Sequence, residues 1–283
     1  MRRLQSAMEY LMTYGWAILA IAIVMVSLYS LGIFNLQNLS PTAAPGSCEV
    51  LRTAAQTSLA GQCNNLIPKY VGKFNGQSVS YVNAGSSLES NVKYTTATIW
   101  VDLSSYNTST GAADAFRGGV AGWIIRTYDY GANVFRAYVS IGGTWYSCTI
   151  NASYLHKWAF LALTYDGSKV TGYLNGVSKC STPIAGTLSI TSNTTIGTDS
   201  GFVYKFNGAL ANAQLYNISL DNNSIKALYQ EGIGGAPVDL QHLVGWWPLN
   251  GNSKDYSGNH ANGVAVNIIW IANWQSEYAA PTT

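Results

Sequence analysis

The residues that could make or break bonds are few in this chain, and they stand apart. Glu49, Glu89, Glu231 and Glu277 are isolated, and no Glu-x-Asp-x-Glu run occurs on any strand-like stretch. Glycoside hydrolysis needs two carboxyl groups held roughly 5–9 Å apart, and no spacing here pairs them. His156, His242 and His260 are scattered, and no serine sits in Gly-x-Ser-x-Gly. Cys48, Cys63, Cys148 and Cys180 have neither CxxC nor Cys/His spacing, which argues against zinc. Arg117-Gly118-Gly119 and Gly142-Gly143 read as turns, because neither has the strand-to-helix context of a phosphate loop. No catalysis is expected. Binding chemistry remains. Tyr128, Tyr130, Trp145 and Tyr146 lie near expected loops or strand ends, either as surfaces that stack on sugar rings or as half-buried strand residues. Trp158, Trp246 and Trp247 are assigned to the core.

One carboxylate sits where it is costly. Glu9 opens an apolar run, and no other charge follows until Glu49. From Tyr10 to Phe34 that run would make a helix of roughly 37 Å, longer than the ~30 Å hydrocarbon core of a bilayer. An ionised group at bilayer depth usually has a partner. The basic leader Arg2-Arg3, then Gln5-Ser6-Ala7-Met8-Glu9-Tyr10-Leu11 and the apolar run, resembles the class III signal peptide of archaeal type IV pilins. That resemblance implies cleavage by a prepilin-type peptidase between Leu4 and Gln5, although Leu4 stands where the family usually has glycine. It also implies that Glu9 pairs with the terminal amine of a neighbouring subunit in a filament core. The alternatives are an ordinary membrane anchor with Arg2 and Arg3 inside and a cleaved secretory signal.

Charged residues make up only 10% of the chain, against a usual ~25%. Glycine (28), tyrosine (19) and tryptophan (9) are abundant, a profile of short strands and many turns. A net charge of +2 with no basic run gives no case for nucleic acid. All four cysteines follow the apolar run, on the side the positive-inside rule places outside the cell, where disulfides persist. Of the three possible pairings, Cys48–Cys63 with Cys148–Cys180 is favoured: the first closes a local loop and the second joins two strands. Asn-x-Ser/Thr sequons occur at Asn38, Asn107, Asn151, Asn193, Asn217 and Asn222.

Residues 35–47, with Pro41 and Pro45, read as a linker. Residues 48–68 read as a disulfide-pinned loop with room for one helical turn or an edge strand. From Lys69 onward the pattern is β, with period-two alternation at 97–101, 122–126, 135–139 and 144–148. A hairpin spans 158–174 through Asp166-Gly167, and Asn175-Gly176 closes the return strand. Trp158-x-Phe160-x-Ala162-x-Thr164-Tyr165-Asp166-Gly167 with Tyr173-x-Asn175-Gly176 resembles LamG-like, concanavalin A-like jelly-roll domains. Phe74-Asn75-Gly76, Trp100, Ile196-Gly197, Phe206-Asn207-Gly208-x-Leu210 and Ile225-x-x-Leu228-Tyr229 follow in the same order, so the likeness covers about 69–232.

Trp246-Trp247-Pro248-Leu249-Asn250-Gly251 with Asp255-Tyr256-Ser257-Gly258-Asn259 resembles the segment that normally opens such a domain, yet follows it here. A circular permutation, with this strand beside residues 209–216, is preferred to a truncated second repeat. The resemblance also implies calcium held by Asp255 and Asn259. Against that, Ala211-Asn212 stands where the family often has an acid, and the alternative is that Asp255 and Asn259 simply cap a turn.

The expectation is an all-β jelly-roll sandwich with one N-terminal hydrophobic transmembrane or pilin helix. Its divisions are a 1–4 leader, a 5–36 helix, a 37–47 linker and a 48–283 sandwich. The expected role is surface adhesion or recognition, outside the cell, with glycans as partners and self-association through the helix. The alternative is a monomeric, membrane-anchored lectin-like receptor.

Overall fold

The computed structural model describes residues 2–30, 42–64, 66–76, 79–86, 88–105, 111–131, 133–152 and 155–281, without the side chains of residues 2–13, 29 and 86. The chain divides into two compact units, Met1–Pro41 and Thr42–Thr283.

The first unit holds one helix, α1 (Arg2–Ser30). Gln5 and Glu9 lie within it, and Leu4 precedes them in the same helix, but their side chains are outside the described residues. The described side chains from Tyr14 to Val26 are exposed, among them Trp16 (71%) and Val26 (68%). Among the described residues no helix is long and apolar enough to cross a membrane. The transmembrane expectation for 5–36 therefore goes beyond what this helix shows.

The second unit is a two-sheet sandwich. Its chain begins earlier than the expected linker end: β1 (Thr42–Ala43) pairs with β4 (Ile67–Pro68), and Ala43 is buried. The stretch read as a pinned loop is a hairpin of β2 (Cys48–Arg52) and β3 (Thr57–Gly61), with the Cys48–Cys63 disulfide at its open end. The strands that follow are β5 (Val71–Phe74), β6 (Tyr81–Ser86), β7 (Thr95–Leu103), β8 (Ala112–Gly118), β9 (Trp123–Asp129), β10 (Val134–Ile141) and β11 (Thr144–Asn151). Then come β12 (Trp158–Tyr165), β13 (Lys169–Leu174), β14 (Val177–Pro183), β15 (Asn193–Ile196) and β16 (Gly208–Tyr216). A helix, α2 (Asn222–Gln230), interrupts the β pattern, and β17 (Leu243–Trp247), β18 (Val264–Val266) and β19 (Ile269–Ile271) end the chain. The fold is thus mostly β, not all-β. Asp221 caps α2 by accepting from the Ser224 amide at 2.7 Å, and Ile225 and Leu228 bury its apolar side.

One sheet has the order β11-β10-β9-β8-β15-β6-β18, and the other β14-β13-β12-β7-β16-β5-β19, with β17 also on β16. Trp123, Ile125, Phe135, Val139, Leu161, Leu163 and Trp247 fill the core between them. A second core packs α2, Trp246, Trp274 and Tyr278 against Trp100, Phe160 and Tyr216 of the eight-stranded sheet. The Cys148–Cys180 disulfide joins the edge strands β11 and β14, one from each sheet. Gly172 leaves room for it, since a Cβ there would lie 3.0 Å from both sulfurs. At the opposite edges β18 pairs with β6 and β19 with β5. β17 pairs with Ala213–Tyr216 of β16, end to end with β5 on the same side, so this late segment completes the one sandwich.

Candidate functional site

Alternation along β10 sends Phe135, Ala137 and Val139 into the core and leaves Arg136 and Tyr138 for the outer face of the seven-stranded sheet. Register then builds a row across four strands: Thr149, Arg136, Arg126 and Asp114 are successive cross-strand partners. Two arginines directly opposite one another repel, and the carboxylates offset this. Asp114 accepts from Arg126 Nε at 2.6 Å, from Arg126 Nη2 at 3.4 Å and from Arg117 Nη1 at 3.1 Å. Asp129 accepts from Arg126 Nη1 at 3.0 Å, from the Tyr138 hydroxyl at 2.9 Å and from Arg136 Nη1. Every carboxylate oxygen of the pair is therefore engaged. Three guanidiniums against two carboxylates leave one positive charge in excess.

Aromatic rings cover this network. Arg126 lies 4.5 Å from the Tyr204 ring centroid and 5.2 Å from that of Tyr138, and Arg117 lies 5.3 Å from that of Trp145. Tyr204 arrives on a loop folded by Asp199, which accepts from the amides of Gly201, Val203 and Tyr204. The Tyr204 carbonyl in turn accepts from the Asp114 amide at 3.0 Å. Burial pulls the Arg126 pKa down, but Asp114 and Asp129 outweigh it and hold the group above the ordinary arginine range. Burial raises the Tyr138 hydroxyl, so it stays a donor at neutral pH. Arg136 is the most open cation, with its side chain 30% exposed. Its buried Nε has no hydrogen-bond partner among the described residues.

Sequence reasoning placed part of this face. Trp145 lies on it, edge-on to Tyr138 at 6.2 Å. Tyr130 is 72% exposed at the turn after β9, its hydroxyl 3.3 Å from that of Tyr204. Tyr128 is buried and offers no open ring, and Tyr146 packs against the core between the sheets. The arginines and Asp114 and Asp129 were missed, and the Arg117-Gly118 turn is instead the end of β8. Charged residues within alternating strands (Asp114, Arg126, Arg136) were the available signal.

The calcium expectation does not fit the residues present. Asp255 accepts four hydrogen bonds, from the amides of Trp246, Ser257 and Ala261 and from the Ser257 hydroxyl. Asn259 turns its Nδ2 to the carbonyls of Leu243 and Val244, presenting a donor rather than an oxygen. Asn212 is also spent, donating to Gly235 and accepting from Trp246 Nε1. These residues hold turns and β17 in place. Among the described residues no group of three or more His, Cys, Asp and Glu could hold a metal.

A family model for the concanavalin A-like lectin/glucanases superfamily matches residues 75–226, more than half of the chain. The chain belongs to the concanavalin A-like lectin/glucanases superfamily. No curated protein matches the chain. Among solved structures, it is similar to a "putative carbohydrate binding protein" from Bacteroides ovatus, at 19% identity and a TM-score of 0.58, covering 78% of this chain and 65% of that one. It thus spans slightly less than two thirds of that protein. It is also similar to the heptameric SAP-like pentraxin of Limulus polyphemus, at 14% identity and a TM-score of 0.52, covering 74% of this chain and 98% of that one. At these identities the likeness is one of fold. The superfamily match ends before β17, so the strands that finish both sheet edges lie beyond it.

Proposed function

We propose that this superfamily member binds glycans outside the cell without processing them, through the outer face of its seven-stranded sheet. The observation that carries the reading is the placement of Trp145, Tyr138 and the partly open Arg136 on one face. The rings give a surface for the apolar side of a sugar and the guanidinium gives directed donors to its oxygens. The carboxylates of the face are committed to arginines, which suits recognition rather than proton transfer. Binding should be measured on a glycan array and then by calorimetry. Trp145→Ala and Arg136→Ala are each expected to weaken affinity about tenfold, in line with ~1–2 kcal/mol for a ring or charged hydrogen bond. Unchanged affinity in the double variant would sink this assignment.

We also propose that α1 carries the domain into a filament or membrane. The exposed apolar side chains from Tyr14 to Val26 support a helix that needs apolar partners. On this reading a prepilin-type peptidase cuts between Leu4 and Gln5, and Glu9 pairs with a neighbour's terminal amine. The N-terminal mass of protein from sheared-surface and membrane fractions tests it. Gln5 as first residue in the sheared fraction supports assembly. Met1 confined to membranes leaves a monomeric anchored receptor.

A further inference from the structure

The opposite face of the sandwich holds a groove of about 630 Å³, within the roughly 300–1,000 Å³ of ligand sites. Its floor is a row of hydroxyls set by register: Thr164 of β12, Thr171 of β13 and Ser181 of β14 are successive cross-strand partners. The Thr171 and Ser181 hydroxyls lie 3.3 Å apart. One wall is the chain leading into α2, pinned by Thr96, whose hydroxyl donates to the Ile218 carbonyl at 2.7 Å and accepts from the Leu220 amide at 2.9 Å. The other wall is the turn at Asp166 and Lys169, with Tyr94 exposed at 47%.

The lining defines the ligand class. Asp166 and Asp221 accept local amide hydrogen bonds, from Ser168 and Lys169 and from Ser224 respectively, which favours their ionised forms. Lys169 Nζ is 3.9 Å from Asp166, so the groove has no unopposed cation for an anionic ligand. Ile218 and Leu220 are the aliphatic residues of its lining, among side chains that carry hydroxyls, an amide or charge. Tyr94, Ser178 and Ser219 line the groove, and among the described residues their side chains make no hydrogen bond, so they can donate to or accept from a ligand. A ligand rich in hydroxyls and without charge satisfies such a lining, with the Tyr94 ring as its stacking surface.

We propose that this groove is a second binding site, for a neutral saccharide, separate from the arginine-lined face on the other sheet. The test uses the full chain carrying Trp145→Ala and Arg136→Ala, which disables the first face. Saturation-transfer NMR is recorded with neutral tetrasaccharides of glucose, mannose and galactose. Transfer to at least one of them is expected to persist. Adding Tyr94→Ala or, separately, Ser178→Trp is expected to reduce affinity at least tenfold, with near-UV circular dichroism confirming the fold in each. Both positions are exposed, so one of the two is expected to fold should the other fail. No transfer to any of the three in the first-face variant overturns the proposal, as does transfer indifferent to the groove substitutions. Failure of the first face alone, with groove binding intact, overturns only the earlier assignment.

Discussion

The outer-face network shows what one residue can hold. Asp114 is fully buried and compensates Arg117 and Arg126 together. Removing one partner of a buried ion set strands the others. Asp114→Asn is expected to destabilise the fold by about 3 kcal/mol in urea unfolding, whereas Trp145→Ala, on the half-open rim, should shift stability by less than about 1 kcal/mol. Glu89 is a different case. It accepts from Trp123 Nε1 at 2.8 Å, while among the described residues its buried Oε1 meets no donor within hydrogen-bond distance, and burial pushes its pKa up to about 7. A raised carboxyl pKa gives stability that is complete below the unfolded value near 4.5 and lost as pH rises through 7. Between pH 5 and 8 the wild type should lose on the order of 3 kcal/mol, at ~1.4 kcal/mol per pKa unit. Glu89→Gln should flatten that slope, and a slope that survives the substitution would place its source elsewhere. Neither Asp114 nor Glu89 stood out in the sequence, because an isolated acid reveals nothing of the arginines or indole that the fold brings to it.

At the scale of elements, the sandwich has two pairs of edges, and they are built differently. The β11 and β14 edges are joined by Cys148–Cys180, a loop of 32 residues. Loop-closure entropy puts such a crosslink at about 3–4 kcal/mol. Replacing both cysteines with serine should cost that much, and more than the same change at Cys48–Cys63, which spans 15 residues. The other edges are formed by β18 and β19 themselves, and β17 supplies Trp247 to the main core. A chain ending at residue 240 is therefore expected to lose the cooperative unfolding transition in calorimetry, although the superfamily match is intact within it. α2 depends on its cap, so Asp221→Ala should cost about 1 kcal/mol.

For the whole molecule, the division between Pro41 and Thr42 predicts that a chain starting at Thr42 unfolds within a few degrees of the full chain, since both cores lie in the second unit. Scanning calorimetry of the two checks this. The sequence alone carried the sandwich class and the tryptophans of the core, favoured one of three cysteine pairings, and through its resemblance to LamG-like domains set the Trp246-Trp247 strand beside residues 209–216. The sandwich class follows from short-range alternation and turn chemistry, both carried by neighbouring residues, and the structure forms both favoured disulfides and pairs β17 with Ala213–Tyr216. Tertiary structure alone decided that Thr42 and Ala43 join the domain, that residues 48–61 form a hairpin there, and that Asp255 spends its oxygens on local amides and a hydroxyl. It alone set Arg136, Arg126 and Asp114 in one row, and Thr164, Thr171 and Ser181 in another. The reason is register: which side chains stand opposite one another depends on how distant strands align, and no local pattern encodes that alignment.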